Sequence, residues 1–238
     1  MKRIGLLALA LISTVFVAGC VQFQTGTGPT TSEVRSIPSF TSIDYKLPGT
    51  LHIDQGTNQT VRVEAGSNVI SNIRTEVIDG VLTIDTTSFS LPSQPINVYV
   101  STNNATGISA INAGGAGTVT SDVPLTAKTL TLALTGVGDV DAPVNVTQLN
   151  VLLSGAGSMQ LRGNATNMTA ELSGVGSLNA YDLQTNVASV TVSGVGSAHV
   201  TVQQNLTANV SGTGEINYHG SPKVTQSRTG LGEINKTG

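Results

Sequence analysis

Tryptophan is absent from this 238-residue chain, cysteine occurs once, and aromatic residues make up only 3%. Charged residues are scarce too, at 11% against roughly 25% in ordinary soluble domains. A lone cysteine closes no intrachain disulfide and builds no Cys-based metal site. Eleven basic against fourteen acidic residues give a formal net charge of −3, which leaves no positive field for nucleic acid. Low charge with 39% hydrophobic residues also argues against disorder, which combines low hydrophobicity with high net charge. Leu, Ala, Glu, Lys and Arg do not dominate, so a helical bundle fits poorly. What is abundant is glycine, 27 residues of it, together with Thr, Ser, Asn and Val. That is the make-up of a β-rich protein with many turns.

The first residues read as an address. Lys2 and Arg3 precede an apolar run from Ile4 to Val17, which ends in Ala18-Gly19-Cys20. A positive start, a short apolar segment and small residues before the cut form a secretory signal. The run is too short for a comfortable transmembrane helix, which needs about 20 apolar residues. Cys20 directly after Ala-Gly resembles the lipobox of prokaryotic lipoproteins. That resemblance implies a signal peptide over residues 1–19, acylation of Cys20 (palmitate being one such acyl group) and membrane attachment through the lipid. Once acylated, Cys20 offers no thiol for catalysis or metal binding. Residues 20–34, rich in Gln, Thr, Gly and Pro, are expected to form a flexible tether, and residues 35–238 the folded domain.

A repeat organises that domain. Gly-x-Gly recurs at Gly115, Gly136, Gly155, Gly174, Gly194, Gly212 and Gly230, with steps of 18–21 residues. Apolar residues alternate on both sides of the triplet. Leu134, Leu153, Leu172, Val192 and Val210 stand two before the first glycine, and Val140, Met159, Leu178, Ala198 and Ile216 two after the second. Alternation at period two places these side chains on one face of a strand. Small polar residues occupy the other face, and Asn145, Asn164, Asn186 and Asn205 mark a third corner. Such a unit buries its apolar face only by stacking on its neighbours. The expected fold is all-β: a single-stranded parallel β-helix (β-solenoid) with 18–21 residues per coil. An antiparallel hairpin array forming a sandwich is the runner-up. In the last repeat Gln226 and Arg228 replace apolar residues and Lys236 follows the final triplet, which fits a cap over an exposed edge. Residues 35–105 are less regular, but Ile43–Leu47 and Leu51–Ile53 alternate, Asp79-Gly80 signals a hairpin turn, and Gly49–Ile53 echoes the later repeats. One continuous solenoid with an elaborated start is expected.

Phe40-Thr41-Ser42-Ile43, the stretch Asn72–Ile84, the repeated Ser-Gly-x-Gly, and the endings Gly214-Glu215-Ile216-Asn217 and Gly232-Glu233-Ile234-Asn235 together carry a family resemblance. Over about residues 36–235 the chain resembles the "putative auto-transporter adhesin, head GIN domain" family of secreted lipoproteins. The resemblance implies a single β-helical domain at the cell surface and brings no catalytic residues with it.

Several clusters of polar residues could carry chemistry. Glu215 and Glu233 fall in the same slot of adjacent layers, roughly 5 Å apart. With Asn217 and Asn235 they could hold Ca²⁺ or form an acid/base pair, though a solvated acidic edge is the preferred reading. Asp139 and Asp141, with Asp122 upstream, form a second acidic group, read as surface decoration. His52, His199 and His219 are scattered; His199 falls between Asn179 and Asn217 in a polar ladder rather than in a metal site. No nucleophile-elbow, zinc-protease or phosphate-loop motif is present. Asn58, Asn104, Asn145, Asn164, Asn167, Asn205, Asn209 and Asn235 each begin Asn-x-Ser/Thr, which reflects mainly an Asn- and Thr-rich composition. The expectation is therefore a non-enzymatic, lipid-anchored cell-surface solenoid without cofactor or catalytic site. It would meet a surface glycan, a protein or copies of itself, at the outer membrane or cell surface. The alternatives are a carbohydrate-active β-helix enzyme using the acidic pairs, and a self-associating envelope subunit.

Overall fold

The computed structural model describes residues 28–87, 94–102 and 107–238. Residues 1–19, Cys20 and the first part of the expected tether lie outside the described residues. No helix among those described is long and apolar enough to cross a membrane. The described residues are all-β, with a 3-10 turn at Ile70–Asn72. The early strands are β1 (Thr30–Arg35), β2 (Ser42–Tyr45), β3 (Gly49–Gln55), β4 (Thr60–Gly66), β5 (Ile73–Ile78), β6 (Val81–Thr86) and β7 (Asn97–Thr102). Then come β8 (Ala110–Ala113), β9 (Ala116–Ser121), β10 (Leu125–Leu134), β11 (Val137–Leu153), β12 (Ala156–Leu172), β13 (Val175–Val192) and β14 (Val195–Val210). β15 (Glu215–His219), β16 (Lys223–Arg228) and β17 (Glu233–Lys236) close the chain.

From β8 onward every ladder is parallel and pairs each repeat with the next. Gly138 lies opposite Gly157, Gly157 opposite Gly176, and Gly176 opposite Gly196. The same register stacks Leu130, Leu149, Met168, Ala188 and Leu206 in one column, and all five are buried. Leu134, Leu153, Leu172, Val192 and Val210 form a second buried column, and Val140, Met159, Leu178, Ala198 and Ile216 a third. Each fully buried aliphatic side chain contributes roughly 1.5–3 kcal/mol, so the core is a dry tube running the length of the stack. The chain is thus a parallel β-solenoid.

The corner between the two halves of a coil depends on glycine. A Cβ placed on Gly157, which sits at φ +148°, would overlap the carbonyl oxygen of Gly138 one coil below. The asparagine corner behaves differently from expectation. Strands β11 to β14 run unbroken through it, with Asn145 opposite Asn164 in register. The strands continue past each asparagine, so asparagine marks an exposed position and not a strand end, although the register shifts at Asn186. Unequal repeat lengths are absorbed on this side of the coil, as register shifts between Gln160 and Gly163 and between Ala180 and Gln184.

The start is elaborated beyond simple continuity. β2 and β3, first in sequence to form a coil, are flanked on one side by β6 and β7 and on the other by β8 and β9, all parallel. The coil met first along the chain is therefore second in the stack. Below it, β7 pairs antiparallel with β4, β4 with β1, and β6 with β5. This antiparallel layer covers the open edge that a parallel stack would otherwise expose. β1 takes up the last residues of the expected tether. The Arg35 guanidinium fastens it by donating to the carbonyls of Ile73 (2.6 Å) and Ile70 (3.1 Å). At the other end Gln226 lies opposite Ala208 and Arg228 opposite Val210; both are exposed, and they replace the apolar column with polar groups.

Candidate interaction surface

The post-glycine strands present two columns of polar side chains on their outward positions. One outward column runs Asp139, Ser158, Ser177, Ser197, Glu215, Glu233, each in register with the next. The adjacent column runs His52, Thr120, Asp141, Gln160, Asn179, His199, Asn217, Asn235. Alternation along each strand, repeated in every coil, puts them there. His52 and His199, far apart in sequence, thus stand in one column.

Within that face the expected groups are spent on one another. His52 stacks on Tyr99 with ring centroids 4.7 Å apart, and Nδ1 lies 3.2 Å from the Thr120 hydroxyl. Arg62 covers the Tyr99 ring at 3.7 Å. Asp139 accepts from the amide (3.2 Å) and hydroxyl of Ser158, and Asp141 pairs with Arg162. Asp122 lies beyond β9 and is not in register with that pair. Among the described residues no group of three His, Cys, Asp or Glu side chains is arranged to hold a metal ion.

His199 and His219 meet around Tyr181, a residue that sequence reading did not single out because it occupies no repeated slot. The Tyr181 hydroxyl lies 3.1 Å from His199 Nδ1 and 3.1 Å from Thr237 Oγ1, while His219 stacks on its ring at 4.0 Å. His199 Nε2 lies 3.1 Å from Ser197 Oγ. Ser197, His199 and Tyr181 thus form a hydrogen-bonded chain. The strand amides around Ser197 are committed to the ladders with β13 and β15, and a serine nucleophile needs free amide donors to hold its oxyanion. The chain therefore reads as a polar clasp that fixes the C-terminal coil.

Glu215 and Glu233 stand side by side as their spacing predicts. Glu233 accepts from Asn235 Nδ2 at 3.3 Å, and neither carboxylate has an ion-pair partner among the described residues. Asn217 is only 8% exposed, so it does not complete an open oxygen cage beside them. Across from the glutamates stands a second wall, made of the residues between the paired glycines. The middle residue of each triplet points to solvent: Val137 is 60% exposed, Val175 59%, Val195 54% and Leu231 88%. Between the two walls the floor is bare backbone, made of Gly176, Gly196, Gly214 and Gly232. The result is a shallow groove of about 630 Å³ at the C-terminal end of the corner, apolar on one side and Ser/Ser/Glu/Glu on the other.

The sequence model of the family described as "putative auto-transporter adhesin, head GIN domain" matches residues 39–222. Solved structures share the architecture. A "putative adhesin" from Bacteroides fragilis superposes with a TM-score of 0.84 at 24% identity, over 90% of this chain and 100% of that one. A "putative lipid binding protein" from Parabacteroides distasonis gives 0.71 at 21% identity, over 91% and 100%. A "putative adhesin" from the same organism gives 0.64 at 25% identity, over 91% and 100%. No curated protein matches the chain.

Proposed function

We propose, because the chain belongs to the "putative auto-transporter adhesin, head GIN domain" family, that it is a lipid-anchored surface solenoid that binds a partner through the outward face of its post-glycine strands. Its role is adhesion or envelope interaction without turnover. The observation that carries this reading is the economy of that face. His52, His199, His219, Tyr99, Tyr181, Asp139 and Asp141 are hydrogen-bonded, stacked or ion-paired to neighbouring side chains, which holds a long outward surface in one shape. Attachment through acylated Cys20 holds that surface outside the cytoplasm.

Two experiments test the reading. Full-length protein should incorporate labelled palmitate and partition into membrane, and Cys20→Ser should abolish both. Intact cell envelopes should be captured by the wild-type protein. Turnover of a polysaccharide that Glu215→Gln abolishes would replace adhesion with catalysis.

A further inference from the structure

We infer that the glycine-floored groove receives lysine side chains from an extended segment of a partner protein. This inference rests on the adhesive reading above and names its partner. Within one coil, Leu231 stands across Gly232 from Glu233, and Thr213 across Gly214 from Glu215. A lysine is built the same way, with an aliphatic stem and a compact charged head. Its stem lies against the Val195–Leu231 wall while its ammonium meets the carboxylates.

Charge sets the sign of the partner. Glu215 and Glu233 are register neighbours without a cationic partner among the described residues, and no lysine or arginine lines the groove. A second copy of this groove would bring like charge to like charge, and an anionic membrane would do the same. Width sets the partner's form. The walls are two residues apart along the chain, at most about 6.6 Å, whereas a helix with its side chains is about 10–12 Å across. An extended chain fits. Its same-side residues recur every ~6.6 Å against a coil rise of ~4.8 Å, a mismatch that flexible lysine stems absorb. A sugar is disfavoured because no aromatic ring lines the groove to stack on its apolar face.

Calorimetric titration of the full chain with a synthetic ten-residue peptide of alternating lysine and valine tests this. Binding should weaken about tenfold in Glu215→Gln/Glu233→Gln, weaken in Leu231→Ser, decline with added salt, and vanish for the peptide with acetylated lysines. Thermal melts check that both variants stay folded. Absence of peptide binding, unchanged affinity in the double variant, equal binding of the acetylated peptide, or tighter binding of a glucosamine oligomer would each overturn the inference. Envelope capture that survives the double substitution would sink the groove while leaving the adhesive reading intact. No capture by the wild-type protein would sink that reading itself.

Discussion

At Tyr45 the ring is buried and its hydroxyl has no hydrogen-bond partner among the described residues. Burial pushes its ionisation far above the ordinary tyrosine range. An unmet buried donor costs more than it returns, so Tyr45→Phe should raise stability by about 1 kcal/mol, read from a shift of the thermal midpoint. Facing decides a second pair. Val192 is fully buried and Thr191 beside it is half-exposed, opposite Glu171. Val192→Asp should cost about 4 kcal/mol or more, whereas Thr191→Asp should cost less than about 1 kcal/mol; comparable losses in parallel melts would contradict the assignment. The glycine column gives a third case. Gly157→Ala forces a methyl group into the Gly138 carbonyl and should cost about 3 kcal/mol. Ala156→Val, which copies the residues already at 137 and 175, should be neutral in the same denaturant titration. The inward positions were legible in the sequence because alternation repeats in every coil. Tyr181 was not, since its role comes from stacking and hydrogen bonds between coils of unequal length.

Between elements, the β5–β6 hairpin shows how a local signal becomes structure. Asp79 at φ 49° and Gly80 at φ 75° make the two-residue turn that Asp-Gly announces, and Ile78 pairs with Val81 across it. Arg74 clasps the far end, donating to both Asp85 oxygens at 2.9 and 2.6 Å. That hydrogen bond, with the guanidinium charge, holds the Asp85 carboxyl below its usual range. A carboxylate with a lowered folded pKa stabilises the fold above its unfolded pKa, about 4, and that contribution fades as pH falls through the folded value. Protection of the β5 and β6 amides, relative to the intrinsic exchange rate at each pH, should therefore fall below about pH 4 in the wild type, and Asp85→Asn should flatten that acid dependence. The asparagine corners teach the opposite lesson. Residues that favour turns occupy a position that the strands run through, because the ladder resumes on either side of it even where the register shifts.

For the molecule as a whole, stability is close to a sum of coils and their interfaces. Excision of residues 155–173, one full repeat, joins Ser154 to Gly174 and brings β11 against β13. The shortened chain should still unfold cooperatively by circular dichroism, and scattering should show a particle shorter by about 4.8 Å. The repeats, their handed-on register and the polar C-terminal cap were legible from the spacing of Gly-x-Gly. The Gly49 echo identified a coil but not its neighbours, since matching residues say which segments stack and are silent on their order.

The out-of-order opening also gives assembly a direction. With β2–β3 wedged between β6–β7 and β8–β9, roughly the first half of the chain comes together as one non-local block, whereas each later coil stacks on its sequence neighbour. Synthesis delivers that block first. Every subsequent repeat then docks on a finished surface, like growth on a seed crystal, and evolution can lengthen or shorten the rod at its far tip without disturbing the foundation.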